Sequence, residues 1–541
     1  MKERTKLGLR VLEAALLMGL LGDALLRATP WGINVFLWAG ALAAAVLALL
    51  VRWRRDVLSG EGRWLFLPVV LFAAFFAWRD SWTLRFLDAL AVMVALSLVA
   101  LRSRVGRIDL AGILEYVVGV IISGLDAAFG PFVLMLNDIH WREIPRAGWS
   151  RHTVAVVRGI LIALPLLLLF GGLFMAADAI FEGIVNRAFN LNFETIFSHT
   201  FVAVLCAWIA GGFLRGTLLG SKLEFTGNGR PVFLPEEAAA SAETSVEGEA
   251  TDAPVPSKPL SLGIVEMGVV LGLLNILFLA FVTIQIRYFF GGAAFAQASV
   301  GLTFAEYARR GFFELVTVAT LVLPLLLFAH WLLRKENPVH ERIFRVLAGA
   351  QVALLFVIMA SAVGRMRVYQ SEYGLTELRL YTTAFMGWLA LVFIWFGLTV
   401  LRGQRERFAC GALAAAFLVL VTLHVVNPDA FIVRVNTSHA QAGRAFDADY
   451  AASLSADAVP ALFEALPALG QYNRCVVALN LLDRRFSLES GDWRTWNRSR
   501  AGALDAIEEN KEQLMGLGCR RPGVEMTEQD AATRGPIQER Y

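Results

Sequence analysis

Long, nearly charge-free stretches alternate with short polar segments over most of this chain. The densest runs are Leu161 to Phe170, Val269 to Phe281 and Leu413 to Leu420. About 20 mostly apolar residues coiled into a helix cross the roughly 30 Å hydrocarbon core, and a helix satisfies its own backbone in lipid. Such segments fall near residues 8–27, 31–51, 64–78, 86–101, 154–176, 199–219, 262–286, 311–333, 345–364, 379–401 and 409–427. The pattern therefore predicts an all-α polytopic membrane protein with about eleven spans. A twelfth apolar stretch, 110–136, contains Glu115, Asp126, several glycines and Pro131. It is expected to be an interfacial or re-entrant helix.

The polar segments divide the chain. Residues 1–109 hold four spans, 110–227 the interfacial helix and two spans, and 259–427 five spans. Between the two larger regions, 228–258 is rich in Ser, Thr, Glu and Pro. Such a stretch buries too little apolar surface to offset the entropy of ordering, so a disordered linker is expected. From 428 to 541 charges become frequent, and helical periodicity shows in Leu454, Val459, Leu462 and Leu466, and again in Trp496, Ala503 and Ile507. That predicts a small water-exposed helical tail, with Ser455 as a helix cap.

Composition agrees. The 541 residues are 57% hydrophobic and only 18% charged, against about 45–50% and about 25% in soluble domains. Net charge is only +3, but its placement carries information. Arg52, Arg54, Arg55 and Arg63, then Arg102, Arg104 and Arg107, then Arg342 and Arg345, then Arg402, Arg405 and Arg407 all fall on one side if the spans are as predicted. Basic loops stay cytoplasmic, so the N-terminus is expected in the cytoplasm and the tail outside, with the first span uncleaved. Basic tracts with interleaved aromatics are missing, so nucleic acid is not an expected partner. Of four cysteines, Cys206 and Cys410 lie in predicted spans. Cys475 and Cys519 lie in the tail, where an oxidising compartment would allow them to pair.

Candidate chemistry is sparse. The chain lacks a zinc helix, a phosphate-binding loop, a nucleophile elbow and a Cys-x-x-Cys pair, and implies no metal or cofactor. Ionisable residues near membrane depth are more telling because burying them is costly. Glu115, Asp126, Asp178, Glu182 and Glu314 are the candidates. Between the spans ending near 364 and starting near 379 comes the densest polar cluster: Arg365, Arg367, Tyr369, Glu372, Tyr373, Gly374, Thr376, Glu377 and Arg379. Three arginines on the predicted outer side run against the positive-inside trend. Such charges need partners, either the neighbouring glutamates or an anionic ligand such as a lipid headgroup.

The stretch Tyr373-Gly-Leu-Thr-Glu-Leu-Arg379-Leu-Tyr381 resembles the signature of a bacterial membrane family known as a domain of unknown function, the DUF4153/DUF4173 group. Other segments are similar too: Arg158 to Pro165, Ala177 to Phe181, Tyr307 to Leu315, Asn427-Pro-Asp-Ala-Phe431, Asp449-Tyr450 and Leu454 to Pro460. The resemblance covers roughly 110–470 and implies a multi-span inner-membrane protein, but no reaction, substrate or cofactor. The expectation is therefore a non-enzymatic protein that binds or senses at the outer face through the Arg365–Arg379 loop and the tail. One rival is a proton-coupled transporter using Asp126, Asp178 and Glu314. The other is a transferase on lipid-linked substrates, with Glu372, Glu377, Arg365 and Arg379 at its site.

Overall fold

A computed structural model describes residues 2–105, 112–143, 174, 177–178, 193–225, 231–234, 263–300, 312–333, 338–489 and 491–519. The predicted span at 154–176 and Glu182 lie outside these. The protein is all-α and polytopic: among the described residues, nine helices are long and apolar enough to cross a membrane. The chain forms two units, one of Met1–Ala74 with Ala89–Ala253, the other of Phe75–Asp88 with Pro254–Tyr541.

The first unit contains α1 (Glu3–Leu26), α2 (Ile33–Trp53), α3 (Phe66–Phe75, all but its last residue), most of α4 (Trp82–Val105), α5 (Ile113–Val133) and α6 (Phe193–Leu219). α1 and α6 run antiparallel: Ala15 meets Gly211, Gly19 meets Ala203 and Ala207, and Asp23 meets His199. The predicted span at 64–78 is shorter than expected. Its α-helix has 10 residues, about 15 Å of rise, because a 3-10 helix occupies Gly60–Leu65 before it.

α5 has the length and apolarity of a span, but its contacts fall at one end of its neighbours. Gly119, near its start, lies against Leu101 in the last turns of α4. Asp138, just past its end, is bonded by Arg4 at the start of α1 and by Arg215 near the end of α6. Asp126 and Asp138 both reach Arg215, at 3.6 and 2.9 Å. Residues twelve apart in a helix are separated by about 18 Å along its axis, so α5 is laid across α6 rather than along it. Gly130 and Gly212 make this crossing close; a Cβ on Gly212 would run into the carbonyls of Asp126 and Ala127.

The expected linker is not wholly irregular. Lys222–Phe225 and Pro231–Leu234 pair as antiparallel strands, Lys222 opposite Leu234 and Phe225 opposite Pro231. Apolar Val232, Phe233 and Leu234 favour extended backbone. The remainder of the linker, 228–230 and 235–258, lies outside the described residues.

The second unit has two cores. One is built by α7 (Ile264–Val300), α8 (Phe312–Leu332), α9 (Pro338–Tyr373), α10 (Glu377–Thr399) and the start of α11 (Phe408–Val426), with Phe344, Phe393 and Phe396 fully buried. The other belongs to the tail: α12 (Pro428–Gln441), α13 (Ala448–Ser453), α14 (Val459–Ala465), α15 (Gln471–Leu488), α16 (Arg498–Glu509) and α17 (Lys511–Gly516). Of the periodic residues, Leu454, Val459, Leu462, Leu466, Ala503 and Ile507 lie in it, whereas Trp496 is exposed. Ser455 does cap, but a short turn at Ala456–Ala458 rather than one long helix, because Pro460 and Pro467 restart the chain. A disulfide joins Cys475 to Cys519. Cys206 is buried, whereas Cys410 is exposed on the first turn of α11.

Candidate functional site

Three structures meet where the tail joins the helix ends of the second unit: the α9–α10 turn, the segment leading into α4, and the end of α11. The turn is the Tyr373–Tyr381 signature. Gly374 adopts φ +73°, a left-handed conformation that glycine reaches without a Cβ penalty. This aims Leu375 away from the α9–α10 pair and into the tail core, where it is buried. Asn436 of α12 clamps Leu375 from both sides: its Oδ1 accepts the Leu375 N–H at 2.6 Å and its Nδ2 donates to the Leu375 carbonyl at 2.9 Å. At Glu377, the first residue of α10, the free N–H is taken by the Tyr450 hydroxyl at 2.8 Å. Thr376 is the N-cap residue, but its own side chain makes no cap hydrogen bond.

The polar residues predicted here for ligand binding are largely engaged within the protein. Arg379 donates to the Tyr373 and Gly374 carbonyls, and its guanidinium lies 4.2 Å from the centre of the Tyr369 ring. Tyr373 in turn sits against Tyr369. Arg365 donates to Gln285 at 2.7 Å, and Glu372 pairs with Arg444 at 3.5 Å. Arg367 and Tyr373 are exposed.

Beside the turn lies a buried ionic joint that the sequence did not announce. Asp457, in the turn after α13, accepts the N–H groups of Asp80 and Ser81 at 2.7 and 2.9 Å, the Ser499 hydroxyl, and Arg79 at 3.4 Å. Asn497 donates to the Phe76 and Arg79 carbonyls and Arg498 N–H to Ala77, while the Ser499 hydroxyl, whose one hydrogen is given to Asp457, also lies 2.9 Å from the Trp78 carbonyl. Carbonyls that the short α3 leaves open are thus satisfied by the start of α16. Asp80 is paired with Arg85 and Arg500 at 3.4 and 3.1 Å. Burial raises the Asp80 carboxyl against the pull of those two arginines, and lowers Arg500.

One layer deeper, Asp88 of α4 meets His424 of α11, both fully buried. His424 Nδ1 faces the Leu420 carbonyl at 2.9 Å and Nε2 faces Asp88 Oδ2 at 3.0 Å. Nδ1 must carry a hydrogen to bond a carbonyl, so the Asp88–His424 contact holds one further proton, on either partner. Arg79 donates to the His424 carbonyl, linking this pair to Asp457. The partner of His424 lies 336 residues away in sequence.

The intramembrane carboxylates do not gather into such a joint. Asp126 is matched by Arg104 and Arg215. Glu115 accepts the Gly112 N–H at 3.2 Å, capping α5. Asp178 and Glu314 are exposed. Among the described residues no group of three or more His, Cys, Asp or Glu side chains could hold a metal ion.

Membrane-spanning helices carrying a separately cored helical tail, keyed together by the α9–α10 turn, define a polytopic membrane protein with a docked terminal domain. The sequence model of the family described as a domain of unknown function, DUF4153, matches residues 66–465, and the chain belongs to that family. That range takes in the signature turn, Asp80, Asp88, His424, Asn436 and Asp457. No curated protein and no solved structure matches the chain.

Proposed function

We propose that this is a non-enzymatic binding or sensing protein of the bacterial cytoplasmic membrane, with its N-terminus inside, its tail outside, and its signal passing between tail and spans. The observation that carries this reading is Leu375, a residue of the loop between two spans that is buried in the core of the tail. A loop that only joins two helices has no need to key into another domain.

Charge and redox chemistry support the orientation. In the second unit Arg345, Arg402, Arg405 and Arg407 stand at the ends of α9, α10 and α11 opposite the signature turn, as a cytoplasmic face requires. The Cys475–Cys519 disulfide fits an oxidising compartment on the tail side. Trp82 and Trp493, exposed at 77% and 64%, suit an aromatic belt at the outer boundary. α5 lies in the cytoplasmic interface, its exposed Leu114, Val117, Ile121, Leu125, Phe129 and Phe132 immersed in the leaflet.

The ligand chemistry that fits the outer turn is an anionic lipid headgroup, met by exposed Arg367. Amide hydrogen exchange on the full chain in nanodiscs tests both parts. Leu375→Asp should raise exchange across 373–380 and 428–436 while leaving the buried stretch of α10 unchanged; unchanged protection refutes the docking role. Nanodiscs of phosphatidylglycerol should slow exchange over 365–380 relative to phosphatidylcholine, and equal rates refute the lipid partner.

A further inference from the structure

The hydrogen-bond inventory around Ser455 is one proton short. Its hydroxyl touches Asp429 Oδ2 and lies 3.1 Å from Asp457 Oδ2. It also accepts the Asp457 N–H at 3.2 Å. A serine hydroxyl carries one hydrogen and an ionised carboxylate carries none, so Ser455 cannot satisfy both carboxylates. Asp457 is well served by Arg79, Ser499 and two backbone N–H groups. Asp429 is not. Only the Ser455 N–H, at 3.1 Å, and the contested hydroxyl reach its Oδ2. Its Oδ1 is buried and has no hydrogen-bond partner among the described residues.

The surroundings disfavour a second negative charge. Asp429 is 1% exposed. Facing it are Asp457 from the 456–458 turn, Glu377 and Tyr381 from α10, Tyr450 from α13 and Arg484 from α15. The one cation among these, Arg484, spends its guanidinium on the carbonyls of Ala452 and Ser455.

We infer that Asp429 is a proton-binding site, and that its ionisation loosens α12 from the turn carrying Ser455 and thereby releases the signature turn. With a proton on Asp429 one arrangement resolves the contested hydroxyl: Asp429 donates to Ser455, and Ser455 donates to Asp457. Two carboxyls in contrasting environments, one neutral and one ionised, are a recurring means of holding a proton. Burial pushes the Asp429 carboxyl up to about 6, with Glu377 and Asp457 adding to the rise and Ser455 opposing it. That places the change in a range a cell surface experiences. The 14-residue α12 that begins with Pro428-Asp429 also carries Asn436, the clamp on Leu375. This inference rests on the sensing reading and names protons as what the joint senses.

Infrared difference spectra of the full chain in nanodiscs, taken between about pH 5 and pH 7.5, read the proton directly. One component of the carboxylic-acid carbonyl stretch should titrate with a midpoint near pH 6 and be lost in Asp429→Asn, while any component from the buried Asp88 is common to both proteins. Ser455→Ala should keep the band, since the proton sits on Asp429 and not on the serine. A titrating band whose amplitude is unchanged in Asp429→Asn, or none titrating in this range, overturns the site. Amide exchange of 373–380, corrected for the intrinsic pH dependence, is the second reading. It should slow by about tenfold to a hundredfold on acidification, and the change should vanish in Asp429→Asn. If the band titrates while exchange stays flat, the proton site stands, and the coupling to the turn and the sensing reading both fall.

Discussion

Replacing Asn436 by Ala removes both hydrogen bonds to Leu375, at 2.6 and 2.9 Å, and leaves the side chain's space empty. The Leu375 N–H and carbonyl then lose their partners in a place where the residue itself is buried. A hydrogen bond contributes about 0.5–1.5 kcal/mol net, whereas a buried group left unsatisfied costs about 1–3 kcal/mol. Water entering the gap keeps the cost below the sum of two full penalties, so about 2–4 kcal/mol is expected, roughly thirtyfold to a thousandfold in the docking equilibrium. Exchange of the Leu375 amide reports that opening if docking is the local event that exposes it. The assay is amide exchange on the full chain, wild type against Asn436→Ala, with the amides of α10 between Met386 and Phe396 as the internal control. A rise of less than about threefold at Leu375, with the control unchanged, refutes the view that Asn436 holds the turn in the tail.

Gly374→Ala should destabilise the same turn by about 1–2 kcal/mol or more, because φ +73° suits no Cβ and the new methyl would lie 2.8 Å from Asn436 Oδ1; thermal melts of the purified chain measure it. Reducing Cys475–Cys519, or replacing both cysteines by Ser, opens a bridge between residues 44 apart and should cost the tail about 2–5 kcal/mol, seen as faster proteolysis of residues 471–519. Asp126→Ala should lower the yield of folded protein, because Arg104 and Arg215 lose their shared counter-ion at about 3–5 kcal/mol; normal folding with loss of proton-driven uptake would instead favour a transporter. Asp429, raised from 3.8 to about 6, binds its proton more readily in the folded state. The tail should therefore be more stable by about 3 kcal/mol below pH 4 than above pH 7, losing that gain as pH rises from about 4 through about 6. Chemical denaturation across pH, against Asp429→Asn, checks the sign.

Much of the architecture is legible in the apolar runs because spanning lipid imposes a length and a composition that few other structures need. The tail core was equally readable, since Leu454, Val459, Leu462 and Leu466 already mark one buried face. The signature turn stood out as a polar cluster, but its role did not. Leu375 finds its partner Asn436 61 residues later, and periodicity carries no information across that distance. The arginines there looked available for an anion because a sequence displays charges without their partners; Arg379 caps its own turn and Arg365 meets Gln285. Asp88 and His424 stand 336 residues apart in sequence, and only the folded chain makes them a pair. The segment at 64–78 has the apolarity of a span, yet its α-helix stops at Phe75 and carbonyls beyond it are bonded to Asn497 and the Arg498 N–H. That substitution of a distant loop for helix continuation leaves no local trace.

The central claim is that the tail lies on the outer side, fastened to the outer turn between two spans. The most direct test fuses alkaline phosphatase, or a fluorescent protein that matures only in the cytoplasm, after Tyr541 and compares the two in intact bacteria. Phosphatase activity without fluorescence is the predicted result. Fluorescence without phosphatase activity would place the tail and the signature turn in the cytoplasm, and would contradict both the outer-face reading and the sensing of external protons.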